Sequence, residues 1–247
     1  MEVHAHTHTE GSGHRKKWTH YFWEFLMLFL AVYCGFLAEN IREQGLEHHR
    51  EKQYMEAMLN DLQVDTAVIQ VNLHTVDTAE MKIQSMLQFI RSNPDLKTID
   101  NNFSKLNQYA LPWLYFTLTD GTSSQLKNAG NMRLIRNTEI SKLLIRYWEI
   151  GNNTLNSQQR YETYRLKCRE LFFRNFRVFD YFLSDRGIIE DPGSLPLLKT
   201  DKAELVEFAN YMSVCGVVLG PHADNLRKQY ALAVQLLASI KKNYHLE

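Results

Sequence analysis

The chain has 247 residues, with 28 Lys and Arg against 28 Asp and Glu, so its formal net charge is zero and indicates no polyanionic partner such as nucleic acid. Glycine and proline are scarce, at 11 and 5 residues, which argues against a strand-rich sandwich or barrel with its many turns. Apolar residues at 45% and charged residues at 23% exclude wholesale disorder. The composition therefore predicts a packed chain that is not strand-rich, and the helical spacing of its apolar residues predicts the all-α class.

Residues 1–17 form a polar head that contains His4, His6 and His8 near an EGSG stretch. Such a segment buries too little apolar surface to fold, so we predict a disordered tail. Imidazoles this close together suit Cu, Ni or Zn, but no cysteine or carboxylate spacing completes a fixed site. Two alternatives stay open, namely selective metal binding and a solvated tail that binds metals as any His-rich peptide does.

The segment Trp18 to Ala38 is apolar and as a helix rises roughly 31 Å, about the hydrocarbon thickness of a bilayer. Basic and aromatic residues flank its start, and polar residues follow its end. A buried helix of a soluble domain and a cleaved signal peptide are the alternatives. The second fits poorly, because Phe36 would stand at the third position before a cut after Ala38. We predict an uncleaved signal anchor, a single transmembrane helix.

The orientation follows from the basic residues beside the span. Residues 15–17 are all basic, whereas Arg42 alone is basic in the first few residues after the span. Over about fifteen residues the counts tie, because Arg50 and Lys52 join Arg42. The predicted location is therefore the inner (plasma) membrane, with a cytoplasmic N-terminus and residues 39–247 as a periplasmic helical domain.

Beyond the span, apolar residues recur every three or four positions from 39 to 91, which predicts one long juxtamembrane helix. It stops at Ser92-Asn93-Pro94, because a residue before proline is pushed out of the helical region. Residues 103–116 predict two short helical pieces separated by Pro112. A further short helix opens at residues 119–121 and ends at Gly130 in a left-handed cap.

The C-terminal half also has a helical pattern. Asn137 is the predicted N-cap of a helix, helix continues from 154 to 183, and residues 185–199 form the only long loop. Asp201 with Glu204 resembles a capping box for a helix that ends near Gly220, and a last helix spans 222–244. The predicted architecture is an antiparallel helical bundle attached to one transmembrane helix.

Two features inside the span are candidate functional positions. Glu24 lies about 10 Å into the hydrocarbon by helical rise, where an ionisable group is costly unless paired. His20 lies one turn before it and Lys17 nearly two, so the three share a face. Ala31 and Gly35 form a small-xxx-small pair that allows two helices to approach closely.

The remaining motifs favour structural roles. Cys168 and Cys215 can pair in an extracytoplasmic domain, although both lie in apolar helical surroundings where a free thiol is simply buried. Basic and aromatic residues interleave from 160 to 179, a pattern that can bind nucleic acid, but the aromatic residues fall at core spacing and acidic residues interrupt the basic face. The chain has no Gly-rich phosphate loop, G-x-S-x-G elbow or H-E-x-x-H motif. We identify no catalytic residues and no cofactor.

The succession FWEFLMLFLAVYCGFLAEN (22–40), IRE (41–43), EHHREKQYM (47–55) and LNDLQVDT (59–66) resembles a group of uncharacterised single-pass inner-membrane proteins of gram-negative bacteria. The segment SSQLKNAGNMRLIRN (123–137) is similar to one that those proteins carry further on. The resemblance implies an extracytoplasmic helical domain of unknown function on one anchor, and it implies no activity.

These observations favour a non-enzymatic, membrane-anchored helical domain that acts by interaction, as a scaffold or as the sensing part of an assembly. Its expected partners are the lipid bilayer and a second copy or another membrane protein. Metal handling through His4, His6 and His8 is one alternative. A hydrolase whose carboxylates only the fold brings together is the other.

Overall fold

A computed structural model describes residues 17–128, 130–188, 190–199 and 201–246. The described residues form six α-helices, a short 3₁₀ turn and one pair of two-residue strands, so the predicted all-α class is confirmed. The elements in chain order are α1 (Lys17–Ser92), β1 (Thr98–Ile99), α2 (Asn101–Ala110), α3 (Gly121–Asn128), the 3₁₀ turn (Asn131–Leu134), α4 (Thr138–Asn175), α5 (Phe179–Asp185), β2 (Leu195–Pro196) and α6 (Lys202–Tyr244).

The chain divides into two compact units, Met1–Glu51 and Lys52–Glu247. The described part of the first unit is helix, and its large apolar side chains are exposed. The second unit, called the helical unit below, contains the hydrophobic core. The division after Glu51 separates compact units. The predicted end of the transmembrane segment at Ala38 is a different boundary, which depends on the membrane, and it stays a prediction.

Helix α1 ends where the sequence predicts. It runs without a break to Ser92, and Asn93 and Pro94 follow outside it. Within the helical unit, all of its buried positions except Leu59 alternate in steps of three and four residues, which is the seam spacing of coiled coils. They are Met55, Met58, Leu62, Asp65, Ile69, Asn72, Val76, Ala79, Ile83 and Met86. Two of these positions are polar.

The prediction of two helical pieces in residues 103–116 is wrong in its second half. Helix α2 ends at Ala110, and the chain from 112 to 120 has no regular structure. This segment is held by its backbone, because the Phe116 amide donates to Gln158 Oε1 at 3.0 Å and the Tyr115 carbonyl accepts from Asn72 Nδ2 at 3.1 Å. Both partners come from long helices, so local propensity could not reveal these contacts.

Helix α4 begins as predicted, with Asn137 Oδ1 accepting from the amides of Glu139 and Ile140. The prediction of continuous helix from 154 to 183 is wrong, because α4 ends at Asn175 and α5 starts at Phe179. Phe176 adopts extended backbone angles, φ −114° and ψ 137°. Its ring is buried against three others, which are those of Phe103, Phe172 and Phe208 at centroid distances of 5.1, 4.8 and 5.3 Å. This aromatic cluster provides a tertiary reason for the break.

Helix α6 contradicts the predicted end near Gly220, since it is continuous through Pro221. Proline removes one amide donor, the one that would reach the carbonyl of Val217. Val217 is 71% exposed and Pro221 is exposed as well, so water can replace the lost bond. Apart from Ala223 and Leu232, the buried positions of α6 again alternate in steps of three and four, namely Leu205, Phe208, Met212, Cys215, Leu219, His222, Leu226, Gln229, Ala233, Leu236, Ile240 and Tyr244.

The start of α6 confirms the predicted cap only in part. Asp201 Oδ1 accepts from the Ala203 amide at 2.8 Å, as an N-cap does. Glu204 pairs instead with Lys199 Nζ at 2.8 Å. The capping box is therefore half formed, because a nearby ammonium group attracts the second carboxylate.

The predicted loop 185–199 is mostly irregular and contains β2, which pairs antiparallel with β1 in the register Thr98 to Pro196 and Ile99 to Leu195. The Tyr181 hydroxyl lies within 2.7 Å of the Ile99 carbonyl and 2.8 Å of the Gly193 carbonyl. This hydroxyl holds the loop against α5. Gly193 has φ +65°, a left-handed conformation that favours glycine.

Candidate functional site

The predicted site residues of the span all lie in α1, and the side chains of Glu24, His20 and Ala31 and the backbone at Gly35 are exposed. A Cβ atom at Gly35 would meet nothing within 4 Å. On the same helix, the rings of Phe25, Phe29 and Tyr33 stack in succession at centroid distances of 6.3 and 6.1 Å. The segment thus presents exposed apolar and aromatic side chains.

Two described helices are long and apolar enough to cross a membrane. The most apolar window of the first, near the N-terminus, has mean hydropathy 1.7 and is 0% buried. The corresponding window of α6 has mean hydropathy 1.2 and is 28% buried. The apolar window of α6 is therefore partly covered by the rest of the protein, whereas the window near the N-terminus is fully exposed.

The helical unit contains a buried polar cluster around Asp65, which is 2% exposed. Asp65 Oδ1 accepts from the Thr119 amide at 3.0 Å and from Thr119 Oγ1 at 2.7 Å. Asp65 Oδ2 accepts from the Tyr147 hydroxyl at 2.7 Å. Burial first, and then the Asp65 charge, raise the pKa of Tyr147 well above its usual value. The hydroxyl consequently keeps its proton and acts as the donor.

A second polar cluster joins α4 and α6. Thr154 Oγ1 donates to Gln229 Oε1 at 3.0 Å, and Ser157 Oγ lies 2.7 Å from His222 Nδ1. The Ser157 hydroxyl also donates to the Thr154 carbonyl at 2.7 Å. Burial lowers the pKa of His222 to about 4, with the Thr154 carbonyl opposing the shift. His222 is therefore neutral at pH 7.

The two clusters meet between Tyr147 and Gln229. The Gln229 amide is near enough to lower the pKa of the Tyr147 hydroxyl against the larger effect of burial, although Gln229 Nε2 makes no aligned hydrogen bond within the described residues. Gly151 makes room for this amide, because a Cβ there would stand 3.0 Å from Gln229 Nε2 and 2.3 Å from Leu118 Cδ1. We call the whole set the polar seam: Asp65, Thr119, Tyr147, Thr154, Ser157, His222 and Gln229.

The polar seam fits a structural role better than catalysis. Ser157 and His222 are at the spacing of a nucleophile and its base, but both are buried, and His222 Nε2 has no hydrogen-bond partner within the described chain. No described carboxylate is bonded to that nitrogen to orient the ring. Polar residues at seam positions specify the register of packed helices, since a slip leaves each of them unpaired.

The sequence interpretation missed the polar seam, although a signal was present. In α1, Asp65 follows Leu62 by three residues and precedes Ile69 by four, so it interrupts an apolar stripe. His222 and Gln229 interrupt the stripe of α6 in the same way. A polar side chain at such a position predicts a buried hydrogen bond.

An open groove of about 310 Å³ lies between α2, α5 and the end of α4. Phe173 and Phe182 line it together with Lys105, Asp185 and Arg186. Arg186 stacks over the Phe182 ring at 5.0 Å. The groove mixes apolar walls with charges of both signs. Sequence spacing gave no hint of it, because three segments that are separate in the sequence supply its walls.

The basic and aromatic stretch of α4 is largely paired within the chain. Arg165 is fully buried, and its Nε donates to Glu162 Oε2 at 2.6 Å. Glu170 pairs with Lys167 at 3.1 Å and with Arg174 at 2.6 Å. The acidic residues therefore neutralise much of the basic face that a nucleic acid would need.

The predicted metal ligands His4, His6 and His8 lie outside the described residues, so metal handling stays a prediction. In the part of the chain that the structure describes, no group of three or more His, Cys, Asp or Glu side chains is placed to hold a metal ion. Compared with protein-family models, with curated proteins and with solved structures, the chain matches none of them.

Proposed function

We propose that the protein is a non-catalytic helical domain anchored in a membrane by one helix, and that it acts by interaction as a scaffold or as the sensing part of an assembly. The observation that carries the proposal is the N-terminal part of α1, whose apolar window is 0% buried at mean hydropathy 1.7. A helix that is apolar all round and uncovered by protein is stable in lipid and costly in water.

The proposed anchor is residues 18–38 alone. Helix α6 meets the same length criterion, but one of its faces is buried in the helical unit and includes His222 and Gln229. Both hydrogen-bond to α4. A helix that moved into lipid would lose these hydrogen bonds, and unpaired polar groups are energetically unfavourable there. We therefore assign α6 to the core of the domain.

The proposed arrangement of the long helices is an antiparallel bundle. Residues later in α4 bond to residues earlier in α6. Asn137, the N-cap of α4, bonds Asn243 at 3.0 Å, and Thr154 bonds Gln229 at 3.0 Å. Ser157 then meets His222. Residue numbers that rise along one helix and decrease along its neighbour are the pattern of an antiparallel pair. This pattern supports the bundle that the sequence predicts.

The proposed location is the inner membrane, with residues 1–17 in the cytoplasm and residues 39–247 in the periplasm. The basic residues 15–17 before the span support this orientation. In the periplasm the domain would meet no nucleic acid. Glu24 and His20 then lie near the cytoplasmic end of the span, where pairing or contact with a partner helix offsets the cost of the charge.

The proposed partner within the membrane is a second copy or another membrane protein, which Ala31 and Gly35 would contact. Gly35 is open on its helix face, and small residues of this spacing allow close helix approach. The span has no protein cover of its own in the described chain, so a partner helix would find an accessible face.

The test uses full-length chains carrying two different epitope tags, co-expressed and treated in the membrane with an amine-reactive cross-linker. We expect the two tags in one cross-linked product, and we expect Gly35→Leu to reduce its yield several-fold. Gly45→Leu is the matched control, because Gly45 is equally open but lies outside the span. Absence of any cross-link, to itself or to another membrane protein, would contradict an interaction role.

A further inference from the structure

The open groove between α2, α5 and the end of α4 has the size of a small-molecule site. Its volume of about 310 Å³ is at the lower end of the range of about 300–1,000 Å³ that such sites occupy. Its floor is held by core packing, because Phe172 lines the groove, is 1% exposed, and has its ring 4.8 Å from that of Phe176 and 5.8 Å from that of Phe208. A preformed floor reduces the entropy cost of binding a ligand.

Two aromatic side chains on the groove walls are largely uncovered. Phe173 of α4 is 50% exposed and Phe182 of α5 is 58% exposed, and both line the groove. Removing apolar surface from water is favourable, and aromatic rings pack well against one another. An aromatic group in the groove would cover part of each ring. The walls therefore favour a ligand with an aromatic side chain.

The groove also presents charges of both signs. Lys105 comes from α2, whereas Asp185 and Arg186 come from the end of α5. None of the three forms an ion pair with another described residue. A purely anionic ligand would be repelled by Asp185, and a purely cationic ligand would be repelled by the two basic side chains. A zwitterion satisfies both signs, because its carboxylate can face the cations and its ammonium group can face Asp185.

A buried amide on the α2 wall lacks a hydrogen-bond partner. Asn107 lines the groove and is 6% exposed, and its Oδ1 accepts no hydrogen bond within the described residues. A buried acceptor left unpaired is unfavourable. The Tyr181 hydroxyl, also at the groove, differs, because it is already bonded to the carbonyls of Ile99 and Gly193. Rotation of the Asn107 amide toward the groove would let its oxygen accept from the ammonium group of a ligand.

We propose that the open groove binds a free amino acid with an aromatic side chain. The ring of the ligand packs against the two exposed rings of the walls. Its carboxylate faces Lys105 and Arg186, and its ammonium group is held by Asp185 and Asn107. Because the groove is open to solvent, the expected Kd is on the order of 0.1 mM. This binding goes beyond the proposed interaction role, since it needs neither the anchor nor a second chain.

The test is calorimetric titration of the full-length chain in detergent with L-phenylalanine, with the titration into detergent alone subtracted. We expect saturable binding. Three analogues each lack one recognised group: 3-phenylpropionate lacks the ammonium group, phenethylamine lacks the carboxylate, and L-alanine lacks the ring. Each should bind about tenfold more weakly or worse. No saturable binding of L-phenylalanine up to about 5 mM, or equal binding of any of the three analogues, would overturn the proposal.

Variants of the charged side chains locate the binding. Lys105→Gln and Asp185→Asn should each weaken the binding of L-phenylalanine about tenfold, because each removes one charge that faces the ligand. The matched controls are Lys228→Gln and Glu207→Gln, two exposed positions of α6 that do not line the groove, and they should leave the Kd unchanged. Undiminished binding in both groove variants would contradict the proposal. The comparison of analogues uses the unaltered chain, so it does not depend on how the variants fold.

Discussion

The hydroxyl of Tyr147 provides the sharpest test of the polar seam. Tyr147→Phe removes the donor that lies 2.7 Å from Asp65 Oδ2 and leaves the buried ring in place. Asp65 is 2% exposed, so water cannot readily replace the donor. The other oxygen, Oδ1, keeps both bonds from Thr119.

The expected cost follows from the bond that is lost. A hydrogen bond to a charged group contributes about 1.5–3 kcal/mol to stability, and an unsatisfied buried acceptor keeps its desolvation penalty. We therefore expect Tyr147→Phe to lower the free energy of unfolding by about 2 kcal/mol, roughly a 30-fold change in the folding equilibrium. The ring retains its apolar contacts, so the hydrophobic contribution is unchanged.

The assay is guanidinium unfolding of the full chain in detergent, followed by tryptophan fluorescence. Tyr115→Phe is the matched control, since Tyr115 is 69% exposed and its change should stay within about 0.5 kcal/mol. A double-mutant cycle with Asp65→Asn should return a coupling free energy above about 1 kcal/mol. Equal effects at Tyr147 and Tyr115 would refute the idea that the polar seam stabilises the fold.

Two further predictions concern other parts of the helical unit. Burial lowers the pKa of His222 to about 4 from 6.5. Between these two pH values the imidazole of the unfolded chain binds a proton that the folded chain does not bind. The free energy of unfolding should therefore fall by about 3 kcal/mol as the pH drops from 6.5 to about 4. Unfolding at several pH values should show this slope lost in His222→Gln and kept in the exposed control His74→Gln. Gly151→Ala places a Cβ 2.3 Å from Leu118 Cδ1, and overpacking should outweigh the gain in helix propensity by about 1 kcal/mol. Gly45→Ala is the control, because a Cβ at Gly45 meets nothing within 4 Å. If neither glycine variant lost stability, the packing argument would be contradicted.

Features governed by local chemistry were predictable from the sequence. The end of α1 depends on the residue pair before and at Pro94, and the start of α4 depends on the side chain of Asn137. Gly130 has the predicted left-handed conformation, with φ +65°. Each of these features depends only on residues within a few positions along the chain, so it can be predicted from the amino-acid sequence alone.

Features governed by tertiary contacts were not predictable in this way. Pro221 is a strong local helix breaker, yet its exposed position lets α6 continue. Phe176 belongs to a strongly helical pattern, yet its ring is buried among aromatic side chains from α2, α4 and α6. The partners of Asp65 are distant in sequence, and only the folded chain brings Thr119 and Tyr147 of α4 to it.

The side of the membrane on which the C-terminus lies is the most direct test of the central claim. Residue 247 is fused in separate chains to a phosphatase that is active only outside the cytoplasm and to a fluorescent protein that is fluorescent only inside it. With residues 18–38 as the sole span and a cytoplasmic N-terminus, we expect phosphatase activity and no fluorescence. Fluorescence without phosphatase activity would contradict the account, because it would require a reversed anchor or a second span in α6.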